Sequence, residues 1–158
     1  MEEVVLNEDN GICTCDIGIT VDKWKEILQD SSIMKHGVLD RLIKFYNEPD
    51  HKSTCKHIAQ KYDNEEVSAP RSYNAQNDKL GESICQNLDF IIRRIGEQNA
   101  CYWAVAMIGK RLEDNSFEWQ LRPELSQAME ELTVACIDLK SLIRTVHKSL
   151  GNFMDTFR

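Results

Sequence analysis

The stretch that decides the fold is residues 72–88, which read SYNAQNDKLGESICQNL. Its apolar side chains recur at helical spacing and form one stripe: Tyr73, Leu80, Ile84 and Leu88. Gly81 lies inside this predicted helix, where it lowers helix propensity and permits close packing. The remaining side chains are mostly small, polar groups that form hydrogen bonds, unlike the alternating Glu and Lys of a plain solvated helix.

Shorter helices are predicted before this segment. One spans residues 21–29 and is capped by Thr20. The next begins at Val38, places its apolar residues mainly on one face, and ends at the NEPD stretch of residues 47–50. Ser53 or Thr54 caps a third, which closes near residue 63.

After Gly96 the pattern changes from helical to extended. Residues 102–108, YWAVAMI, are rich in aromatic and β-branched side chains, and residues 117–121, FEWQL, alternate between apolar and polar. The two segments predict a β-hairpin whose tip carries Lys110 and Arg111. Its two tryptophans, Trp103 and Trp119, would either pack across the hairpin or stack on exposed bases.

This order of elements is that of a winged helix-turn-helix. We therefore predict a mainly α fold with a small β-hairpin and a long C-terminal amphipathic helix. Residues 1–19 are expected to form a loose N-terminal arm, residues 20–132 the winged helix-turn-helix domain, and residues 133–158 a helix for packing or dimerisation.

The C-terminal helix carries an apolar heptad seam that starts just after Pro123. The seam consists of Leu125, Met129, Leu132, Cys136, Leu139, Ile143, Val146 and Leu150. Such a seam requires a partner helix, and three partners fit the pattern: the helix at residues 21–29, a second copy of the chain in a homodimer, or another protein.

A winged helix-turn-helix places its third helix in the major groove of DNA. Asn and Gln suit this position because their amides pair bidentately with adenine. The predicted DNA contacts are Arg71, Ser72, Asn74, Gln76, Asn77 and Lys79 on the third helix, with Lys110 and Arg111 on the wing. The pattern thus predicts a non-catalytic module that binds double-stranded DNA for recognition or regulation.

The charge of the chain is the main observation against DNA binding. The formal net charge is −7, and residues 38–132 alone hold 12 Lys and Arg against 16 Asp and Glu. Since phosphate contacts need a surplus of Lys and Arg, binding would have to rest on a local patch. The alternative function is a protein-protein interaction adaptor that uses the heptad helix and the acidic surface.

Several short segments resemble one known module. They are WKEIL (24–28), LIKFYN (42–47), STCKHIAQKY (53–62), SYN (72–74), YW (102–103), IGKR (108–111) and FEWQLRPELSQAMEEL (117–132). They resemble a winged-helix-like module found ahead of the AAA+ GTPase of modified-cytosine-dependent (type IV) restriction proteins and beside some HNH endonucleases. The resemblance implies a recognition or accessory part of a phage-defence system, with a restriction or defence protein as partner. The chain has no GxxxxGK[ST] motif and no nuclease motif, so a motor or cleavage activity would belong to another chain.

Enzymatic and metal sites are not expected. No Cys or Ser lies in a recognisable nucleophile elbow, and the four histidines define no triad. The spacing of Cys13, Cys15, His51, Cys55 and His57 differs from that of common zinc sites, so we predict no metal and no cofactor.

A cytoplasmic location is expected. No apolar run approaches the roughly 20 residues of a membrane helix, and the stretch MEEVVLNEDNG (1–11) is acidic where a signal peptide would be basic and then apolar. We therefore expect no membrane association and reduced cysteines.

Overall fold

The structure is a computed structural model, which describes residues 1–35, 37–63 and 69–156, without the side chains of residues 63, 69–72, 137–142, 149 and 151–156. The strands are β1 (Glu2–Asp9), β2 (Ile12–Thr14), β3 (Lys52–Thr54), β4 (Phe90–Arg94), β5 (Met107–Arg111) and β6 (Phe117–Leu121). The helices are α1 (Val21–Gln29), α2 (Val38–Tyr46), α3 (Cys55–Ile58), α4 (Ala69–Leu88) and α5 (Pro123–Thr156). Short 3₁₀ turns lie at Pro49–His51 and Tyr102–Val105, and a π turn at Ala59–Asp63 continues α3.

All six strands belong to one mixed sheet in the order β3-β6-β5-β2-β1-β4. The first half of β1 runs parallel to β4, with Glu2 opposite Phe90 and Leu6 opposite Arg94. Its second half turns back on β2 through the tight turn at Asn10 and Gly11, both of which have positive φ. The remaining neighbours in the sheet are antiparallel.

The predicted fold class is therefore wrong: the chain is an α/β protein with a six-stranded sheet, not a mainly α protein with a small hairpin. Residues 1–19, expected to form a loose arm, supply β1 and β2. The strand character of β1 is hard to see in the sequence because only Leu6 is buried among its mostly exposed residues. An amphipathic pattern does not arise in a strand whose two faces are both largely exposed.

The hairpin itself is confirmed, since β5 and β6 pair antiparallel with Gly109 opposite Trp119. It is not a free wing, because β2 occupies the other edge of β5. The strand predicted at residues 102–108 is also wrong in its first half, where Tyr102–Val105 forms a 3₁₀ turn. Ala104 and Val105 are buried there, so the apolar run reflects burial and not extended structure.

The helices follow the sequence more closely. Thr20 accepts a hydrogen bond from the Lys23 backbone N–H and caps α1, as expected. Thr54 caps α3 in the same way through the His57 backbone N–H. The predicted stripe of α4 is buried at Tyr73, Leu80 and Ile84.

Helix α5 has two parts. Its 34 residues give a helix about 51 Å long at 1.5 Å per residue. Leu125 and Met129 are buried and Leu132 is partly buried, and this part of α5 packs against α1. Beyond it, Cys136, Ile143, Val146 and Leu150 are exposed, and the side chain of Leu139 lies outside the described residues. Among the described helices, none is long and apolar enough to span a bilayer.

Candidate functional site

A cleft of about 390 Å³ opens between α4 and the β5–β6 hairpin. We call it the aromatic cleft. Its lining comes from α4, from the end of β4, from the 3₁₀ turn and from the hairpin. The residues are Asn74, Asn77 and Asp78 of α4, Arg94 as the last residue of β4, Glu97 after that strand, Trp103 of the turn, and Arg111, Phe117 and Trp119 of the hairpin. Its volume falls in the range of roughly 300–1,000 Å³ that is typical of small-molecule sites.

Three aromatic rings form one wall of the cleft. Trp103 meets Trp119 edge to face with ring centroids 4.8 Å apart. Phe117 stacks on Trp119 with ring centroids 5.5 Å apart. Gly109 leaves room for this arrangement, because a Cβ at that position would lie only 3.1 Å from the Trp103 ring. The glycine in the middle of β5 thus lets the Trp103 ring lie against the strand.

The two arginines of the cleft pair with one carboxylate, that of Glu8. Arg111 places its guanidinium 4.8 Å from the centre of the Phe117 ring, a cation–π contact. Its Nε lies 3.8 Å from Glu8 Oε1, and the Nη1 of Arg94 lies 3.0 Å from Glu8 Oε2. Both arginines therefore share Glu8, which balances one of their two positive charges. The carboxylates of Asp78 and Glu97 also line the cleft.

Asn74 and Asn77 face the cleft from consecutive turns of α4. The Cys55 thiol donates a hydrogen bond of 3.2 Å to Asn74 Oδ1. Burial raises the pKa of Cys55 to about 12, so this thiol stays protonated and remains a donor at neutral pH. Asn77 is only 4% exposed, and its Nδ2 has no hydrogen-bond partner among the described residues. A buried donor without a partner costs about 1–3 kcal/mol, so this amide lowers the stability of the fold.

Asp78 joins the helix to the aromatic wall. Its Oδ1 accepts a hydrogen bond of 3.1 Å from the backbone N–H of Trp103. Burial raises the pKa of this carboxyl group, and the neighbouring Glu82 raises it further, while the hydrogen bond from Trp103 lowers it. Asp78 is thus a hydrogen-bond acceptor at the edge of the rings.

The polar residues of α4 do not share one face. At about 100° per residue, Gln76 and Lys79 project to the far side of the helix from Asn74 and Asn77. They line a second groove of about 510 Å³ together with Ile33, Lys35 and Val38. The single amide-rich surface expected from residues 72–83 is therefore split between two clefts. Whether these side chains contact DNA stays a prediction.

The remaining predicted DNA contacts also lie on different surfaces. Arg111 faces the aromatic cleft, but Lys110 points to the opposite face of the sheet because side chains alternate along β5. Both residues lie in the strand and not at the hairpin tip. The side chains of Arg71 and Ser72 lie outside the described residues.

Sequence reasoning missed several members of the cleft. Asp78, Arg94, Glu97 and Phe117 were not candidates, because only tertiary packing brings α4, the end of β4 and β6 together. Trp103 and Trp119 carried a visible signal, since an aromatic residue in each strand is a recognised stacking arrangement.

The Cys and His side chains considered as metal ligands do not form a metal site among the described residues. Within the residues that the structure describes, no three His, Cys, Asp or Glu side chains form a group able to hold a metal ion. His51 stacks on Tyr46 with ring centroids 4.5 Å apart, and Cys13, Cys15 and Cys55 are buried thiols.

No family model, curated protein or solved structure matches the chain. The proposal of a function therefore rests on the geometry of the site.

Proposed function

We propose that the chain is a non-catalytic DNA-binding module with a recognition or regulatory role. The observation that carries this proposal is the convergence of Asn74 and Asn77, on α4, with Arg111, on the hairpin, in a single cleft. The helix and the hairpin are separate segments of the chain, and amide and guanidinium groups are able to form hydrogen bonds with bases. The adjacent aromatic rings add stacking surfaces that suit nucleic acid.

The acidic composition constrains how such binding would work. With a net charge of −7, long-range attraction to the DNA backbone is weak, so affinity must come from short-range contacts at the cleft and a few lysines. Lys79 and Lys110 are exposed on two elements that line the cleft, α4 and β5, but both side chains point away from it. Phosphate contacts by these two lysines would therefore lie on the neighbouring surfaces and not in the cleft.

The test is fluorescence anisotropy of labelled DNA at low salt, with plain and methylated duplexes and with single strands. Lys79→Ala and Lys110→Ala should weaken binding to every sequence and lower the slope of log K against log salt by about one each. Asn74→Ala should instead reduce sequence preference. Lys23→Ala is the matched control, because Lys23 is paired with Glu26 on the remote helix α1.

Failure of every DNA, single-stranded or duplex, to bind at low salt would end the proposal. Equal weakening by Lys23→Ala would also contradict it, since it would mean that binding reflects total charge and not this surface.

The resemblance to the restriction-associated module suggests a biological setting. We propose that the chain acts in the cytoplasm beside a restriction or defence protein that supplies motor or nuclease activity. Co-purification of the full chain with a GTPase or nuclease from its own host would support this setting, and a phage plating assay with Arg111→Ala would link the defence to the cleft.

A second candidate function is protein interaction through α5. The observation that favours it is the exposure of Ile143, Val146 and Leu150, which are 47%, 49% and 55% accessible on a helix that continues beyond the packed domain. Their heptad spacing suits pairing with another helix.

A further inference from the structure

We propose that the free edge of β1 binds an extended, basic segment of a partner protein as an additional β-strand. This surface shares no residue with the lining of the aromatic cleft, so it adds a protein partner to the DNA contact proposed there. Three features support it: the unpaired backbone of β1, the groove beside that backbone, and the acidic charge around both.

Strand β1 is longer than either of its partners in the sheet. On one side β4 covers residues 2–6, and on the other side β2 covers only residues 7–9. After Thr14 the chain diverges from β1, and no backbone hydrogen bond among these described residues joins residues 2–6 to residues 15–19. The first half of β1 therefore has a free edge on the side of β2.

The backbone groups at this free edge belong to Glu3 and Val5, which are both exposed. The Glu2 N–H donates to the Asp89 carbonyl oxygen, so residues 2, 4 and 6 face β4. Neighbouring residues of a strand direct their N–H and C=O groups to opposite sides, so those of Glu3 and Val5 face away from β4. Among the described residues, their only contact is one of 3.5 Å from Asn7 Nδ2 to the Val5 oxygen. Such an edge is a template for another strand.

A groove of about 480 Å³ lies between the first half of β1 and the diverging chain. It is lined by Glu2, Val4, Asp16, Ile17, Gly18, Ile19, Lys23, Leu88 and Phe90. Val4, Ile17 and Leu88 are partly buried and form its apolar part. Since successive side chains of a strand point to opposite faces, alternate side chains of a docked strand would enter this groove. Pockets for alternate side chains are what gives specificity in strand addition.

The charge around the edge is acidic and therefore favours a basic segment. Half of the residues of β1 are Glu or Asp. Glu3 is paired with Arg93. Glu2 and Asp16 both line the groove, and neither forms an ion pair among the described residues. Lys or Arg side chains of the docked strand would pair with these two carboxylates, whereas a second copy of β1 would bring further acidic side chains to the edge.

The first experiment measures binding of labelled peptides to the full chain by fluorescence anisotropy. The probe is the peptide Lys-Val-Lys-Val-Lys-Val-Lys, and Glu-Val-Glu-Val-Glu-Val-Glu is the control of the same length and pattern. We expect saturable binding of the lysine peptide and about tenfold weaker binding of the glutamate peptide, because like charges across strands destabilise pairing. Equal binding of the two peptides, or no saturable binding of the lysine peptide, would overturn the proposal.

Methylation of the peptide backbone separates strand pairing from simple charge attraction. A docked strand directs only alternate N–H groups toward β1. Lysine peptides methylated either at the valine amides or at the lysine amides should therefore differ in affinity by about tenfold, because only one set faces the edge. Equal affinity of the two methylated peptides would show that the backbone of β1 is not used, and the proposal would fail.

Variants of Val5 locate the binding at the free edge. Val5→Pro removes the N–H that Val5 presents there, and proline is tolerated in an edge strand whose N–H has no ladder partner. It should weaken binding of the lysine peptide about tenfold while the chain stays folded in thermal denaturation. Val5→Thr is the matched control, because it keeps the N–H and the branched shape, and it should bind as the wild type does. Equal affinities of Val5→Pro and Val5→Thr would contradict the assignment.

A charge variant tests the same surface without a change in the backbone. Glu2→Gln should weaken binding of the lysine peptide about threefold, the effect of one exposed ion pair. Glu113→Gln is the matched control, since it removes the same charge from the exposed turn between β5 and β6. Equal losses in the two variants would mean that the peptide responds to total charge and not to this edge.

Light scattering tests whether a second copy occupies the edge instead. The mass of the wild-type chain and that of Val5→Pro should be equal, because the proposed occupant is a different protein. A lower mass for Val5→Pro would assign the edge to pairing between two copies and would overturn the proposal. Binding of DNA is measured separately with the same variants, so its presence or absence leaves this result unchanged.

Discussion

Residue 81 is a glycine, and the absence of a Cβ there determines where the aromatic cleft lies. A Cβ on Gly81 would be 1.8 Å from the carbonyl oxygen of Tyr102, a contact with backbone that cannot rotate away. Helix α4 and the 3₁₀ turn Tyr102–Val105 can therefore touch only at a glycine. The contact sets Trp103 next to Asp78, whose carboxylate receives the Trp103 backbone N–H.

Gly81→Ala provides the test at this scale. Helix propensity alone would make the variant more stable by about 1 kcal/mol, whereas overpacking against fixed backbone costs about 1–3 kcal/mol or more. We expect the clash to dominate, so the melting temperature should fall and the Trp103 emission should change. Ala75→Ser, which adds one heavy atom at an exposed position of the same helix, should leave both unchanged. A higher melting temperature for Gly81→Ala would show that the two backbones are not in close contact.

Among the elements, the short α3 and its π turn depend on a buried carboxylate for their attachment to α2. Glu48, two residues beyond the end of α2, has a side chain that is only 4% exposed and lies 2.7 Å from Lys61 Nζ and 3.3 Å from His57 Nε2. Tyr62 donates a further hydrogen bond of 3.1 Å. Three side chains of one small element thus converge on one carboxylate, which compensates the cost of burying it.

This arrangement predicts a dependence of stability on pH. The hydrogen bond from Lys61, helped by Tyr62 and by the charges of Lys61 and His57, lowers the pKa of Glu48 although burial opposes the shift. A carboxyl group whose pKa is lower in the folded state stabilises the fold above its ordinary pKa of about 4.3. That contribution is lost as the pH falls from this value through the lowered pKa of the folded state.

Glu48→Gln should therefore reduce the free energy of unfolding by about 1–2 kcal/mol at neutral pH, measured by urea denaturation. The difference from the wild type should shrink below about pH 4. Glu26→Gln is the control, because the Lys23–Glu26 pair lies on the surface, where ion pairs contribute little. A difference that stays constant from pH 7 to about pH 3 would contradict the role given to Glu48.

On the scale of the whole molecule, α5 extends the chain beyond its own core. Its first turns are covered by α1, where Trp24, Ile27 and Leu28 are buried and Lys25 forms an ion pair with Glu131. The later part of the seam has no such cover among the described residues, and a helix with one exposed apolar stripe is stabilised by pairing with another helix. A second copy of the chain offers an identical seam.

We therefore predict that the chain forms a homodimer in solution through residues 143–150. Ile143→Glu and Val146→Glu should convert the dimer to a monomer, measured by light scattering, without a change in the fluorescence of the core tryptophans. Lys148→Glu introduces the same acid on the other side of the helix and should leave the dimer intact. A wild-type chain that already has the mass of a monomer would refute the prediction.

Prediction from sequence was most accurate where neighbouring residues decide the structure. The caps at Thr20 and Thr54, the stripe of α4 and the hairpin at β5 and β6 depend on contacts within a few residues. The parallel pairing of β1 with β4 joins Glu2 to Phe90 and could not be predicted in this way. The two strands are distant along the chain, and nothing in either segment indicates that it will pair with the other. In addition, β1 is largely exposed, and a largely exposed strand has no amphipathic pattern.

The sequence by itself determined the local elements: the helix starts, the buried stripe of α4, the turn-rich breaks and the amide and aromatic side chains that a binding site would need. Only the tertiary structure decided that these elements form a six-stranded sheet, that Asn77 lies inside the protein while Lys79 lies outside, and that Trp103 meets Phe117 and Trp119 across one cleft. The physical reason is that helix periodicity and capping are energies of neighbouring residues, whereas strand order and cleft geometry depend on packing between segments that are distant along the chain.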